Sequence, residues 1–248
     1  MEHTLFHRYL EELCRKHGAA LKIQPVHDRN HPHQEVVAEI LYVNTAKIPA
    51  DTYRKYVSYY VMQYLMPRLR LETPRLILRC FHIEDAEDCF AFLSDADGAY
   101  MDCCQPFSAM DEAFRERIQL FVERPGQYAI ELKETGTVIG TVNVFEDSSR
   151  AVDAMEIGYA VRPDFQRRGY AYEALAAILH LFQLELMLDM VTAGILPENT
   201  ASHGLLKKLG FRSEGIRHKA VWHEGLGKPV DLQYYYRDRE CICLDTQH

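Results

Sequence analysis

The sequence predicts a mixed α/β chain built as two units, a small α+β appendage followed by a larger domain in which strands and helices alternate. Three observations point there. Residues 1 to 70 hold ten Lys or Arg against seven Asp or Glu, a balance of +3 that, set against −8 for the whole chain, leaves −11 for the remainder. Hydrophobic periodicity switches repeatedly between that of a strand and that of a helix. One stretch, "DFQRRGYAYEAL" from 164 to 175, joins a strand to a helix through a turn with two arginines and a glycine.

At 248 residues and 48% hydrophobic, the chain can bury a full core. It holds no run of about 18 uncharged apolar residues, and its start, "MEHTLFHRYLEELCRKHG", alternates charge with hydrophobes. A cytoplasmic protein with no membrane contact is expected. The cysteines number seven and none stands in C-x-x-C spacing, so reduced, mostly buried thiols are expected and no metal site. The acidic balance argues against nucleic acid, whose phosphates need a basic face.

The appendage, residues 1 to 68, reads as helix (3–17), strand (20–27), strand (35–43) and helix (50–66). Gly18 stops the first helix and "HDRNHPHQ" separates the strands. Tyr53, Tyr56, Tyr60 and Tyr64 fall on one stripe of the last helix, as a packing face does. His27, His31 and His33 share a loop that Asn30 and Pro32 already explain as a turn, without zinc. The role of this unit stays open, a homodimer contact being one reading.

The second unit, 69 to 248, opens with a strand in "TPRLILRC" (73–80) and an amphipathic helix over 83–95, acidic in its first turn where the dipole favours it. A helix follows over about 110–124. "QYAIELKETGTVIGTVNVFED" is a hairpin turning at Gly136, and "AMEIGYAV" (154–161) is a third strand. The helix after "DFQRRG" runs to about 185, then "MVTAGIL" is a strand. "ENTASHGLLKKLGF" is a short helix with Asn199 as N-cap, Lys207 and Lys208 in its last turn, and Gly210 left-handed beyond it. Two closing strands complete the chain.

A strand entering a Gly-containing turn and then a helix suits phosphate, because the first helical N–H groups lack intrahelical acceptors and sit at the positive end of the dipole. Gly169 and Ala171 keep the turn free of bulk, while Arg167 and Arg168 can meet outer phosphate charge. Neither a P-loop nor the Rossmann Gly-x-Gly-x-x-Gly is present.

Gln166-Arg167-Arg168-Gly169-Tyr170-Ala171 resembles the Q/R-x-x-G-x-G/A signature of the GCN5-related N-acetyltransferases (GNAT). "TPRLILR", "GTVIGTV", "EIGYAVRPDFQRRGYAYEAL" and "PENTASHGLLKKLGFRSEG" follow in that family's order, in the manner of the branch with the ribosomal-protein-alanine N-acetyltransferases. The resemblance covers roughly residues 70 to 238. It implies the GNAT acyl-CoA N-acyltransferase fold, a mixed sheet with helices on both faces, its central strands splayed to admit a pantetheine arm.

The resemblance also implies roles. The strand over 156–161 is the one that splays, with main-chain groups near Ala160 and Val161 holding the arm and the thioester carbonyl. Residues 166 to 171 hold the pyrophosphate of acetyl-CoA, Asn199 contacts the arm, and Ser202 lies near the sulfur. Each has a plainer reading, Asn199 as a helix cap and Ser202 as a small helical residue. Many relatives outside this branch carry a tyrosine acid in the short helix; here that position falls on Leu206, leaving Ser202 or a water. Glu156 is the candidate base, with an ion-paired edge carboxylate as its plainer reading.

The expected activity is acetyl transfer from acetyl-CoA to a primary amine, on a protein N-terminus or a small molecule, by direct attack in a ternary complex. The alternative is a noncatalytic acyl-CoA sensor. By the resemblance, the loop from 95 to 111 and the hairpin near 223–225 form the acceptor side. Tyr100, Asp102, His223 and Glu224 there are an acid-rich set suited to a cationic amine.

Overall fold

The computed structural model describes residues 4–26, 38–43, 48, 66–185 and 188–239. The chain divides into two compact units, Met1–Gln63 and Tyr64–His248. In the first, α1 (Thr4–His17) stops at Gly18, whose φ of 61° suits glycine at a helix end. Strands β1 (Leu21–Val26) and β2 (Ala38–Val43) then pair antiparallel from Leu21↔Val43 to Val26↔Ala38. Leu13, Cys14 and Ile48 are buried together there, with Ala19 and Leu21 against them. The tyrosine stripe and the three-histidine loop lie outside the described residues.

The second unit is built on an eight-stranded sheet. Its strands are β3 (Arg70–Glu72), β4 (Leu76–Cys80), β5 (Gln127–Leu132), β6 (Val138–Glu146), β7 (Ala154–Val161), β8 (Met190–Ile195), β9 (Arg212–His223) and β10 (Lys228–Asp238). In space they run β3-β4-β5-β6-β7-β8-β10-β9, antiparallel throughout except for the parallel pair β7–β8. The sheet is therefore mixed, as expected. Consecutive residues Tyr128, Ala129 and Ile130 of β5 are all 0% exposed, which only a strand covered on both faces allows.

Helices α2 (Ala86–Leu93), α3 (Ala96–Met101), α4 (Glu112–Glu123), α5 (Tyr170–Leu179) and α6 (Thr200–Lys208) complete the unit. Phe92 of α2 and Phe114 and Ile118 of α4 close over Phe81, Ala129 and Val138. On α5, Leu175 and Ile178 are fully buried, each worth about 1.5–3 kcal/mol relative to exposure.

Several boundaries differ from expectation for local reasons. The strand expected from Thr73 begins at Leu76, because Thr73 closes a turn: Leu76 N–H donates to Thr73 Oγ1 (2.9 Å) and Thr73 N–H to Leu76 O (3.0 Å). The helix expected over 83–95 starts as a 3-10 turn, Ile83–Asp85, because Asp85 accepts from the His82 N–H and takes both Arg79 Nη atoms (2.7 and 2.8 Å). The helix expected to reach 185 turns π-helical over His180–Glu185. Strand β3 and helix α3 are too short for periodicity to reveal; α3 is set by Asp95, whose carboxylate caps the Gly98 N–H at 2.7 Å.

Met66 is 1% exposed, and its carbonyl accepts from the Tyr128 hydroxyl at 3.0 Å. It is part of the second unit's core.

Candidate active site

Strands β7 and β8 pair at Ala154↔Met190, Met155↔Val191 and Glu156↔Thr192, and there the pairing stops. Beyond it β7 keeps pairing with β6 as far as Val161↔Gly140, and β8 with β10 as far as Ile195↔Gln233. Two glycines favour this divergence. A Cβ on Gly140 would lie 2.2 Å from Ala160 O, so bare backbone lets the end of β7 close on β6; one on Gly194 would meet the Tyr234 ring of β10 at 2.9 Å. The two strands remain neighbours in the sheet, but residues 157–161 of β7 have no pairing partner on the β8 side.

The fork is held by a polar cluster. Thr192 Oγ1 donates to Asp147 Oδ2 (2.8 Å), Arg150 Nε also donates to Asp147 (3.1 Å), and the Arg150 fork binds Glu214 at 2.6 and 2.5 Å. Glu156 sits half-buried at this point, with the Tyr234 hydroxyl 3.5 Å from Oε1 and Arg217 stacked on the Tyr234 ring at 3.7 Å. Burial, then the negative charge of Asp147, push the Glu156 carboxyl above its ordinary range, although Arg217 opposes them. A carboxylate raised in this way is a better proton acceptor near neutral pH.

The turn out of β7 is exposed from Gln166 to Gly169. Gln166 Nε2 donates to Val161 O (2.8 Å), tying the turn to the strand end. Arg167 and Gly169 both adopt left-handed backbone, φ 58° and 82°. Gly169 is the N-cap of α5 and has no side chain to cap it, and the first helix-type bond is Glu173 N–H to Gly169 O (3.0 Å). The N–H groups of Tyr170, Ala171 and Tyr172 are therefore the donors a bound anion can use. The Arg168 guanidinium lies 5.4 Å over the Phe165 ring.

A residue from far upstream locks this turn. Arg75 donates from Nε to Glu173 Oε2 (2.6 Å), from its main-chain N to Glu173 Oε1 (2.9 Å) and from Nη1 to Arg168 O (3.0 Å), and its guanidinium stacks on Tyr170 at 4.4 Å. Thr73 Oγ1 adds a 2.6 Å bond to Glu173 Oε1. Burial raises the Glu173 carboxyl, but these hydrogen bonds outweigh it and hold it below its ordinary range.

Asn199 caps α6, its Oδ1 accepting from the Ser202 N–H at 3.1 Å. His203 fixes the same helix between Tyr235 OH (2.8 Å) and Pro197 O (2.9 Å). Leu206 is 0% exposed and belongs to the core. The Tyr159 hydroxyl, on β7 beyond the fork, is buried without a hydrogen-bond partner. Burial raises its pKa to about 12, an effect that the neighbouring Ser202 side chain partly offsets.

The loop after α3 meets the β9–β10 turn. Glu224 N–H donates to Cys103 O (2.9 Å), Gln105 Nε2 to Glu224 O (3.2 Å), and Tyr100 OH to Glu198 Oε1 (2.8 Å). Asp102 is exposed, and the protein packed around its carboxyl pushes its pKa up, toward about 7. Glu224 is exposed. His223, by contrast, is 0% exposed under the Tyr100 ring (centroids 4.7 Å apart), with Nδ1 accepting from Leu226 N–H. It presents no surface to an acceptor, which corrects its expected place among the substrate contacts; it supports Tyr100 from behind.

The profile of the Acetyltransferase (GNAT) domain matches residues 75–212, more than half of the chain. The chain belongs to the GNAT acetyltransferase family. An uncharacterized N-acetyltransferase of Bacillus subtilis, YoaA, is 31% identical over 170 residues, covering 66% of this chain and 94% of the relative. The [ribosomal protein uS5]-alanine N-acetyltransferase of Escherichia coli is 29% identical over 163 residues, covering 60% and 81%. Among solved structures, a GNAT-family acetyltransferase from Bacillus anthracis superposes with a TM-score of 0.62 at 26% identity, covering 69% of this chain and 99% of that one. A spermidine N-acetyltransferase from Vibrio cholerae, in complex with CoA and spermine, shares the fold at 0.56 and 18%, with coverage of 69% and 99%.

Within this GNAT domain, residue-level reading missed Arg75, Thr73, Glu173, Tyr159 and Glu198. Arg75 and Thr73 stand in the quoted "TPRLILR", but nothing local there signals a partner about a hundred residues on. Tyr159 had a signal, since alternation along "EIGYAV" puts it on the face opposite Glu156.

Proposed function

We propose that this GNAT protein moves an acetyl group from acetyl-coenzyme A to a primary amine by direct attack in a ternary complex, in the cytoplasm. The observation that carries the reading is the end of β7–β8 pairing at Glu156 and Thr192. It leaves peptide groups of residues 157–161 open to an amide-bearing arm such as pantetheine, which satisfies them as a strand would. The main chain at Ala160 and Val161 holds the arm and the thioester carbonyl, residues 166–171 take the pyrophosphate, and Asn199 borders the arm.

In the reaction the amine nitrogen attacks the thioester carbon, a C–N bond forms, the C–S bond breaks, and Glu156 accepts the proton that the amine sheds. A phenol at about 12 is a weaker acid than a thiol at about 8.5, and a serine hydroxyl is weaker still. Tyr159 and Ser202 therefore stabilise the departing thiolate by hydrogen bonding, and the amine's proton reaches it through Glu156 and water.

Asp102, Glu198 and Glu224, with Tyr100 among them, give the acceptor side an acidic rim that suits a cationic amine. An alanine of ribosomal protein uS5 and a polyamine, the acceptors in the names of two proteins compared above, both fit that chemistry. Free-thiol release from acetyl-CoA across a panel of Ala-starting peptides, polyamines and antibiotic amines tests the reading. Acetyl-CoA at millimolar concentration must also raise the melting temperature. A rise without thiol release from any amine would instead support a noncatalytic acyl-CoA sensor, the reading that Leu206 in the core favours.

A further inference from the structure

The phosphate-binding turn cannot hold its shape by local preference. Arg167 and Gly169 are both left-handed, and a residue with a side chain, as at Arg167, disfavours that conformation. Glu173 poses a second problem, because a carboxylate in the first turn of α5 repels the anion expected at the same helix end. Arg75 answers both. Its Nη1 fixes the Arg168 carbonyl, between the two left-handed residues, while its main-chain N and Nε hold both carboxylate oxygens of Glu173. Its Nη2 lies 3.4 Å from where a Gly169 Cβ would be, beside the open amides.

We propose that Arg75, latched by a Glu173 carboxylate that Thr73 also holds, is a positioning residue that sets the turn 166–169 for the pyrophosphate of coenzyme A. The inference rests on the acetyl-CoA reading above. Its basis is geometric: three donors of one residue and the stack on Tyr170 converge where the turn enters the helix, from Arg168 to Glu173, out of a segment 93 to 98 positions earlier in the chain. A lysine keeps the charge but cannot span the Arg168 carbonyl and the Glu173 carboxylate together.

The test compares acetyl-CoA, acetyl-dephospho-CoA and S-acetylpantetheine as donors for the wild type, Arg75→Ala, Arg75→Lys and Glu173→Gln. Both Arg75 variants are expected to raise the KM for acetyl-CoA and acetyl-dephospho-CoA about tenfold, with kcat within about threefold, the size of one lost charge-assisted bond. Turnover of S-acetylpantetheine, which has no phosphates, should stay at the wild-type level. Loss confined to acetyl-CoA would assign Arg75 to the 3′-phosphate and overturn the proposal. So would equal loss with all three donors, which marks a general structural defect, or a wild-type KM for Arg75→Lys.

Glu173→Gln separates latch from simple charge. Removing a carboxylate near a phosphate should tighten binding if electrostatics alone acts, whereas loosening Arg75 should weaken it several-fold. Tighter binding overturns the proposal, and near-isosteric Gln keeps the protein folded for the measurement. If the wild type binds no acetyl-CoA, the functional reading fails first, and that outcome is distinct from any effect of Arg75.

Discussion

Thr192, the last residue of β8 to pair with β7, lies opposite Glu156, and its hydroxyl is held 2.8 Å from Asp147. The carboxylate that holds the end of the pairing is thus also the charge that raises the candidate base. Glu156→Gln should lower kcat by about 10²-fold, the usual scale of general-base catalysis, with little change in the KM for acetyl-CoA. Only the ionised carboxylate accepts a proton, so wild-type kcat/KM should rise with pH through its raised pKa. Asp147→Asn removes a charge that raises it, and should move that limb to lower pH in a pH-rate profile.

Gly169→Val should abolish the rise in melting temperature caused by acetyl-CoA while leaving the apo protein folded by circular dichroism. At φ 82° a β-branched residue is strained, and its Cβ would approach the Arg75 guanidinium at 3.4 Å. A cofactor response that survives the substitution counts against the turn as the phosphate site.

Asp102 offers a pH test on the acceptor side. Its pKa near 7 means that the carboxyl is neutral in mild acid, so the KM for a cationic amine should fall as pH rises through about 7. Asp102→Asn should flatten that dependence and leave acetyl-CoA binding intact.

Tyr159→Phe separates catalysis from folding. The hydroxyl it removes is buried with only the Ser202 side chain acting on it, so stability should change little in urea denaturation. If the hydroxyl supports the leaving thiolate, kcat should drop roughly tenfold or more.

Two truncations bear on the first unit. Removing residues 1–63 keeps Met66, whereas removing 1–68 deletes a side chain that is 1% exposed and should cost about 2–5 kcal/mol in denaturant melts. On the reading that the appendage carries a homodimer contact, the shorter deletion should halve the mass seen by light scattering and spare acetyl-CoA binding.

What could be read from the chain was whatever depends on near neighbours. Asn199 caps its helix, Gly210 is left-handed at φ 81°, and Gly136 turns its hairpin at φ 71°, each because a local backbone requirement selects the residue. The exposed turn at 166–169 was visible for the same reason. The Arg75–Glu173 latch and the Tyr100–Glu198 bond, each spanning 98 positions, arise only when the sheet brings distant segments together. His223 shows the limit from the other side: its hairpin position was legible, but its burial depends on Tyr100, which arrives from another element.

The pairing of β7 with β8 for only three positions puts an unfinished edge in the interior of the sheet. Exposed strand edges are normally kept at the rim and blunted against association. Here one lies between two strands that are neighbours in the sheet, so on the proposed function a pantetheine arm paired there would act as a removable strand joining the two halves of the sheet.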